Sequence, residues 1–341
     1  LCVIAADKQS AAVDSTIAAL AADCPANDEL TAVAGYLVEA DTPHVVLGTT
    51  AQMSRQYALL NSLSARLSKI CGARFGRLEE GNAVAAWQAG FMPQEGGNNA
   101  SEMLSTALKA AVLFNLEPSQ DSLLGQHAVK TLADTGMVVY IGNYRSEEID
   151  SVADVMLPLA MHAESEGSHV NCEGKIQSWQ AAVTPPGEAR PGWKILRVLG
   201  NYLDQDGFDY VSAEAVRNEV EDLAPAELNA DVISHTAPEE GHIERVCTLP
   251  IYRTDCVTRR SDPLQQTQDN QHVLASMHSQ TLAALGIEDD ALIEVSDGSN
   301  SINVQVKQDD TVAANCVAIP TAVPETALLG NAGWLEVKGS A

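Results

Sequence analysis

His162, Glu164, Glu166 and His169 stand in one short stretch, and imidazoles beside carboxylates are the side chains that ligate zinc or iron. A metal-binding helix needs its histidines one turn apart, as in H-E-x-x-H, so that both face the same ion. Here the spacing differs and the surrounding residues carry no helical period, so the reading is solvated loop charges rather than a metal centre. Cys172 follows His169 by three positions. A nucleophilic thiol wants a base, a cation or a helix N-terminus beside it. Its neighbours Asn171 and Glu173 supply none of these, which favours a half-buried structural cysteine. The seven cysteines, at 2, 24, 71, 172, 247, 256 and 316, include no pair closer than Cys247 and Cys256. No C-x-x-C pair for zinc or an iron–sulfur cluster is therefore present. Gly96–Gly97 lacks both the further glycines of G-x-G-x-x-G and the Lys-Ser of a P-loop, and reads as a loop between Met92 and Asn99. A G-x-S-x-G nucleophile elbow is missing too. No catalytic residue and no metal ligand is assigned from these patterns.

The elements around those residues fall into three styles. Leu1 to Ala5, His44 to Gly48, Ala110 to Asn115, Met137 to Gly142 and Ala153 to Leu157 are short apolar runs of the kind that form strands buried on both faces. Between them, Ser10 to Ala22, Asp28 to Glu39 and Gln52 to Ile70 carry helical periodicity, with Met53, Tyr57, Leu60, Leu63 and Leu67 on one face of the last. This alternation predicts an α/β fold, a doubly wound, mostly parallel sheet over 1–160. Residues 161–245 read as an irregular loop and helices packing on that sheet. A helix runs from Pro191 to Leu203 with Trp193, Leu196 and Leu199 as a core stripe, and an acidic one from Ser212 to Leu223 is capped by Ser212. A polar linker follows from Pro238 to Glu244. From 246 to 341 the pattern turns to period two: Ile302, Val304 and Val306 alternate with polar residues, Asp297–Gly298 makes a turn, Gly286 closes a short helix from Thr281, and Cys316 to Pro320 gives another strand. These features predict a small C-terminal β-barrel.

Charge limits the partners. Forty-six acidic residues against 20 Lys and Arg leave a formal charge of −26, a field that repels phosphate backbones and anionic lipid, so neither nucleic-acid binding nor membrane docking is expected. No apolar run approaches the ~18 residues of a membrane span. The odd cysteine count without a secretory signal suits a reducing cytoplasm. The chain opens on Leu1 directly into an apolar run, and is expected to be a piece of a longer polypeptide.

One long spaced pattern goes further than these local signals. Ala153, Asp154, Val155, Leu157 and Pro158 are followed by Ala163, Glu164, Gly167, Asn171, Glu173, Gly174 and Gln177, and this stretch resembles the A-D-V-x-L-P … A-E-x-x-G-x-x-x-N-x-E-G-R-x-Q segment of the molybdopterin oxidoreductase family. Within that family, Arg190 to Asn201 and Phe114 to Pro118 resemble the large peripheral-arm iron–sulfur subunits of bacterial proton-pumping NADH:quinone oxidoreductase, respiratory complex I. His278 to Pro320 resembles the family's closing double-psi barrel. Catalytic family members cradle a molybdenum-bound pterin dinucleotide, whereas the complex I subunits keep the fold without it and hold iron–sulfur clusters in an N-terminal region whose cysteines are absent here. The resemblance thus implies a redox-silent scaffold segment without its own cofactor. Its partners would be other peripheral-arm subunits, on the cytoplasmic side and peripheral to the inner membrane. A vestigial cleft is expected at Asn171, Glu173, Gly174, Lys175 and Gln177. Lys175 departs from the family's Arg, and an ammonium lacks the bidentate fork that grips a phosphate. The alternative is the C-terminal half of a molybdopterin-dependent, formate-dehydrogenase-like oxidoreductase. A free-standing metabolite-binding α/β protein leaves the match from Val152 to Gln177 unexplained.

Overall fold

Short apolar runs and Ala-rich helical stretches alternate through the first half of the chain, and a computed structural model shows how they are arranged. It describes residues 1–22, 24, 26–93, 96–222, 241–270, 273–330 and 333–340. The described residues form two compact units that part between Ala83 and Val84.

The first unit holds α1 (Cys2–Gln9), α2 (Ser15–Ala22), α3 (Asp28–Glu39), β1 (His44–Leu47), α4 (Thr49–Gln52), α5 (Tyr57–Cys71) and β2 (Arg74–Arg77). β1 and β2 pair in parallel, with His44 opposite Arg74. Leu1 to Ala5, expected as a strand, is instead the start of α1. Cys2, Ala5 and Ala6 are its buried residues, at the three-and-four spacing of a helix, and a five-residue apolar run carries too few turns to distinguish the two states. Ser10 closes α1 in the left-handed conformation, so the single helix expected over Ser10 to Ala22 begins only at Ser15. Asn27 caps α3 by accepting a 2.8 Å hydrogen bond from the Leu30 N–H. β2 escapes the sequence pattern because Arg-Phe-Gly-Arg offers no apolar run.

The second unit contains α6 (Ala83–Gln88, of which Ala83 is the boundary residue), α7 (Ala100–Ser105), β3 (Ala111–Phe114), α8 (Pro118–Asp121), α9 (Gln126–Ala133), β4 (Val138–Gly142), α10 (Glu147–Val152) and β5 (Val155–Pro158). Strands β3, β4 and β5 are parallel and lie side by side in chain order. The parallel strands expected as one sheet are thus two sheets, one in each unit. Leu104, Leu113, Ala128, Leu132, Val138, Tyr140, Ile149 and Val152 form the core on one face of the three-stranded sheet. The opposite face is not buried throughout, as the apolar runs suggested: Val112 and Phe114 are 52% and 44% exposed. After β5 the chain forms an antiparallel hairpin, β6 (Gly167–Val170) and β7 (Ile176–Trp179), where an irregular loop was expected. Then come α11 (Gly192–Tyr202) and α12 (Ala213–Asp222), the latter opened by Ser212, whose Oγ accepts from the Ala215 N–H. Leu223 and residues 238–240 of the expected linker lie outside the described residues.

The C-terminal part is a closed six-stranded barrel in the order β10-β11-β9-β12-β8-β13. Its strands are β8 (Ile243–Thr248), β9 (Leu274–Met277), β10 (Leu292–Ser296), β11 (Ser301–Gln308), β12 (Cys316–Pro320) and β13 (Trp334–Gly339). Two helices, α13 (Asp262–Gln265) and α14 (Ser279–Leu285), sit between them. The barrel begins three residues before the expected boundary at 246, because Ile243 and Glu244 already pair in β8. Ile302, Val304 and Val306 point inward along β11, as the alternation predicts. They join Met277, Ile293, Val295, Val317, Ile319, Leu329 and Leu335 in one core. Gly286 ends α14 in the left-handed conformation. In the Asp297–Gly298 turn, Asp297 Oδ1 accepts from the Ser299 and Asn300 N–H groups at 2.7 Å.

Two glycines with φ +53° bring the barrel against α9. A Cβ on Gly125 would lie 2.2 Å from the Ala327 carbonyl oxygen, and one on Gly330 would lie 2.8 Å from that of Leu124. Alongside, Asp297 Oδ2 lies 3.5 Å from His127 Nε2. Burial acts to raise the Asp297 pKa, but the backbone N–H groups of Asn300 and Ser299 and the contacts with His127 and Asn300 outweigh it and hold the carboxyl below its ordinary value. Gly125→Ala should cost upward of about 1–2 kcal/mol, from backbone strain and the displaced carbonyl, read as a lower midpoint of thermal unfolding. A group with a depressed folded-state pKa contributes stability above its unfolded pKa and loses it as the pH falls through the folded one. Wild type should therefore lose stability below about pH 4, and Asp297→Asn should flatten that acid limb in urea titrations.

Candidate functional site

In open α/β sheets, ligands are bound beyond the carboxyl ends of the strands, which makes the ends of β3 and β4 the place to begin. Asn115, the residue after β3, has φ +51°, a left-handed conformation that Asn tolerates better than most residues. Asn143, the residue after β4, donates its N–H to Asn115 Oδ1 at 3.4 Å and its Nδ2 to the Leu159 carbonyl at 3.0 Å. The Cys256 thiol reaches both amides, with Sγ 3.7 Å from Asn143 Oδ1 and 3.9 Å from Asn115 Oδ1. Burial, and then the charge of Glu117, push the Cys256 pKa up. The sulfur is thus a protonated donor rather than a nucleophile.

Two residues past Asn115, Glu117 is 2% exposed. Arg260 donates Nη2 to Glu117 Oε1 and Nη1 to the Cys256 carbonyl, the latter at 3.0 Å, while its guanidinium lies 4.5 Å from the centre of the Tyr144 ring. Burial disfavours the charged Arg260, but the hydrogen bond and charge of Glu117 more than offset it, so its pKa is raised. Arg259 Nη2 lies 2.7 Å from Asp121 Oδ1 and 3.0 Å from Glu117 Oε2, and Asp121 Oδ2 accepts the Glu117 N–H at 2.7 Å. Burial and the Glu117 charge push Tyr140, on β4, up to about 12. Two guanidiniums and two carboxylates thus fill the carboxyl edge of the sheet and balance one another.

The residues singled out from sequence lie elsewhere. Asn171, Glu173, Gly174 and Lys175 form the turn of the β6–β7 hairpin. Asn171 Oδ1 accepts from the N–H groups of Glu173 at 3.0 Å and Lys175 at 2.9 Å, and Gly174 supplies φ +76°. Lys175 Nζ pairs with Glu173 Oε2 at 2.6 Å, and Gln177 sits on exposed β7 opposite His169. Their spacing is therefore that of a tight turn. The adjacent cavity of about 540 Å³ is lined by Glu164, Glu166, Arg190 and Lys194 among others, and not by the turn. Cys172 is exposed rather than half-buried. Glu164 and Glu166 are not solvated loop charges: they accept from the Met161 N–H at 2.9 Å and from Trp193 Nε1 at 3.2 Å. His169 lies edge-on to Trp179 at 4.8 Å between ring centres. Among the described residues no group of three or more His, Cys, Asp or Glu is placed to hold a metal ion. The Trp193, Leu196 and Leu199 stripe is not core, since Leu196 is 39% exposed and α11 buries only Gly200.

Sequence reasoning missed Asp121, Asn143, Cys256, Arg259 and Arg260 as one group. The adjacent arginines in so acidic a chain were the available signal. Comparison with known proteins then gives a consistent picture. The family profile described as molybdopterin oxidoreductase matches residues 8–202, and that of the molybdopterin dinucleotide binding domain matches 250–337. The mitochondrial NADH-ubiquinone oxidoreductase 78 kDa subunit of Candida albicans is 28% identical over 213 residues, covering 60% of this chain and 27% of that protein. The mitochondrial NADH dehydrogenase (ubiquinone) iron-sulfur protein 1 of Solanum tuberosum is 30% identical over 186 residues, covering 48% of this chain and 25% of that one. The chain thus spans about a quarter of the length of these relatives. Among solved structures, acetylene hydratase from Pelobacter acetylenicus aligns with a TM-score of 0.45 at 15% identity, covering 65% of this chain and 39% of that one.

Replacing Asn171 by Ala removes the acceptor of two turn N–H groups and should cost about 0.5–2 kcal/mol, as loss of a comparable cap does. Amide exchange of Gly167–Trp179 should quicken while the barrel amides stay unchanged; equal exchange in the hairpin would show that the turn does not depend on Asn171.

Proposed function

The chain belongs to the molybdopterin oxidoreductase family, and from that premise we propose that it is a redox-silent scaffold portion of an NADH:quinone oxidoreductase subunit. The observation that carries this reading is the similarity to the complex I subunits of Candida albicans and Solanum tuberosum. In this role the segment does no chemistry. It holds neighbouring peripheral-arm subunits and the cluster-bearing part of its own subunit in fixed positions, while the assembly passes electrons from NADH to quinone and pumps protons.

The carboxyl edge of the sheet supports the reading. A dinucleotide carries two phosphates, and Glu117 presents a buried carboxylate where such a group would approach, with Arg259 and Arg260 already paired to it and to Asp121. These residues do not suit a pterin dinucleotide. The turn at Asn171, Glu173, Gly174 and Lys175 is likewise engaged in its own hydrogen bonds. No helix among the described residues is long and apolar enough to cross a membrane. A peripheral position on the cytoplasmic face of the inner membrane, reached through partner subunits, is part of the same proposal.

The second reading is the C-terminal half of a molybdopterin-dependent, formate-dehydrogenase-like oxidoreductase, and its support is the match of both family profiles. One experiment separates the two. An epitope tag on the chain in its native cell, followed by native electrophoresis with an NADH–tetrazolium stain, should place the tag in a large NADH-oxidising assembly that contains iron and no molybdenum. A tag migrating apart from NADH oxidation, or molybdenum in stoichiometric amount, would favour the second reading.

A further inference from the structure

The Glu117 network has the form of an occupied binding site. Its carboxylate is almost wholly removed from water, and two guanidiniums from consecutive residues converge on it from a segment that enters the fold more than a hundred residues later. Planar guanidinium forks are the groups that hold carboxylates and phosphates. Arg259 is only 9% exposed, yet its donors outnumber the acceptors around it. Nη2 serves Asp121, Nη1 reaches the Arg253 carbonyl at 3.4 Å, and Nε finds no partner among the described residues. Glu117 Oε2 lies 3.0 Å from Arg259 Nη2 without the alignment of a hydrogen bond.

We infer that Arg259 and Arg260 form a cradle for an oxyanion, a carboxylate or a phosphate, at the carboxyl end of the parallel sheet, and that this chain fills the cradle with its own Glu117. The side chain acts as a tethered ligand that fastens the segment between β8 and β9 to the strand ends. Tyr144 stacks on the outer guanidinium and Asp121 holds the inner one, so the cradle keeps its shape when the tethered carboxylate is removed. The inference goes beyond the scaffold reading and does not depend on it, because the test reads stability alone and gives the same answer whatever assembly the chain joins.

The test uses the full 341-residue chain and thermal unfolding at constant ionic strength, with acetate and inorganic phosphate as probes against chloride. Glu117→Ala leaves two arginines facing a space the size of a carboxylate, and its midpoint should fall by roughly 5–10 °C. Acetate or phosphate at tens of millimolar should restore at least half of that loss in E117A, leave wild type unchanged, and do nothing for E117A/R259A/R260A. Glu117→Gln keeps the volume and loses the charge, so it should also unfold earlier than wild type. The inference is overturned if chloride restores E117A as well as acetate does, if restoration persists without the two arginines, or if E117Q is as stable as wild type. Should E117A fail to fold, an E117Q as stable as wild type still overturns the inference.

Discussion

A carboxylate taken out of water must be met by positive charge, and for Glu117 that charge comes from far along the chain. Removing an ionised carboxylate from solvent costs several kcal/mol even after relaxation, and only close, hydrogen-bonded partners offset it. The partners are Arg260, hydrogen-bonded to Oε1, and Arg259, an ion-pair partner 3.0 Å from Oε2, both in the segment between the first two strands of the barrel. That segment therefore has to lie across the ends of β3 and β4, which fixes where the barrel meets the sheet. The other contacts in the same unit agree with that placement. Gly125 and Gly330 give up their side chains so that two backbones can touch, and the Asp297 turn of the barrel meets His127 on α9. Of these contacts the ion pairs are the ones whose loss leaves a buried charge unmet, so the barrel's position answers to them before it answers to the rest.

How much of this was legible depends on the range over which each signal acts. The barrel's alternation is a property of neighbouring residues, so Ile302, Val304 and Val306 announce their inward face, and Gly286 and Asp297–Gly298 announce their turns. The apolar runs of β1, β3, β4 and β5 are equally local. Leu1 to Ala5 misleads because Cys2, Ala5 and Ala6 satisfy a helix as well as a strand, and what decides between them is packing against α3 and α5, which no five-residue window contains. The β6–β7 hairpin was hidden for the opposite reason. β7 is exposed at three of its four residues and β6 is only partly buried, with Val170 its one buried residue, so neither strand shows the alternation of a half-buried sheet. Yet Asn171 and Gly174 carried the turn chemistry in plain view, read as family motif rather than as the Asx turn they form.

The arginine cradle could not be read at all from spacing. Glu117 and Arg260 are 143 residues apart, and ion pairs at that range leave no periodicity. Arg259 and Arg260 have Asp255 and Asp262 close by in sequence, yet they pair with Glu117 and Asp121, so proximity in the text carries no information about pairing in space. What distinguishes Arg259 is its burial, a fact of tertiary structure.

Burial of cations also changes how the net charge should be understood. Arg245 and Arg259 are 5% and 9% exposed, and Arg245 gives its guanidinium to the carbonyls of Gly330 and Pro320 inside the barrel. Burial lowers its pKa. Arg259 is matched by the buried Glu117, so withholding these cations leaves the strongly acidic balance of 46 Asp and Glu against 20 Lys and Arg in place. Such a surface repels free phosphates and anionic lipid at long range. Under that field, an oxyanion cradle is occupied most dependably by an anion that need not diffuse in, and a glutamate fixed to the adjoining strand end is such an anion. The acidity of the exterior and the self-filled cradle are then consistent parts of one electrostatic arrangement, with Arg245 and Arg259 turned inward to hold the fold together.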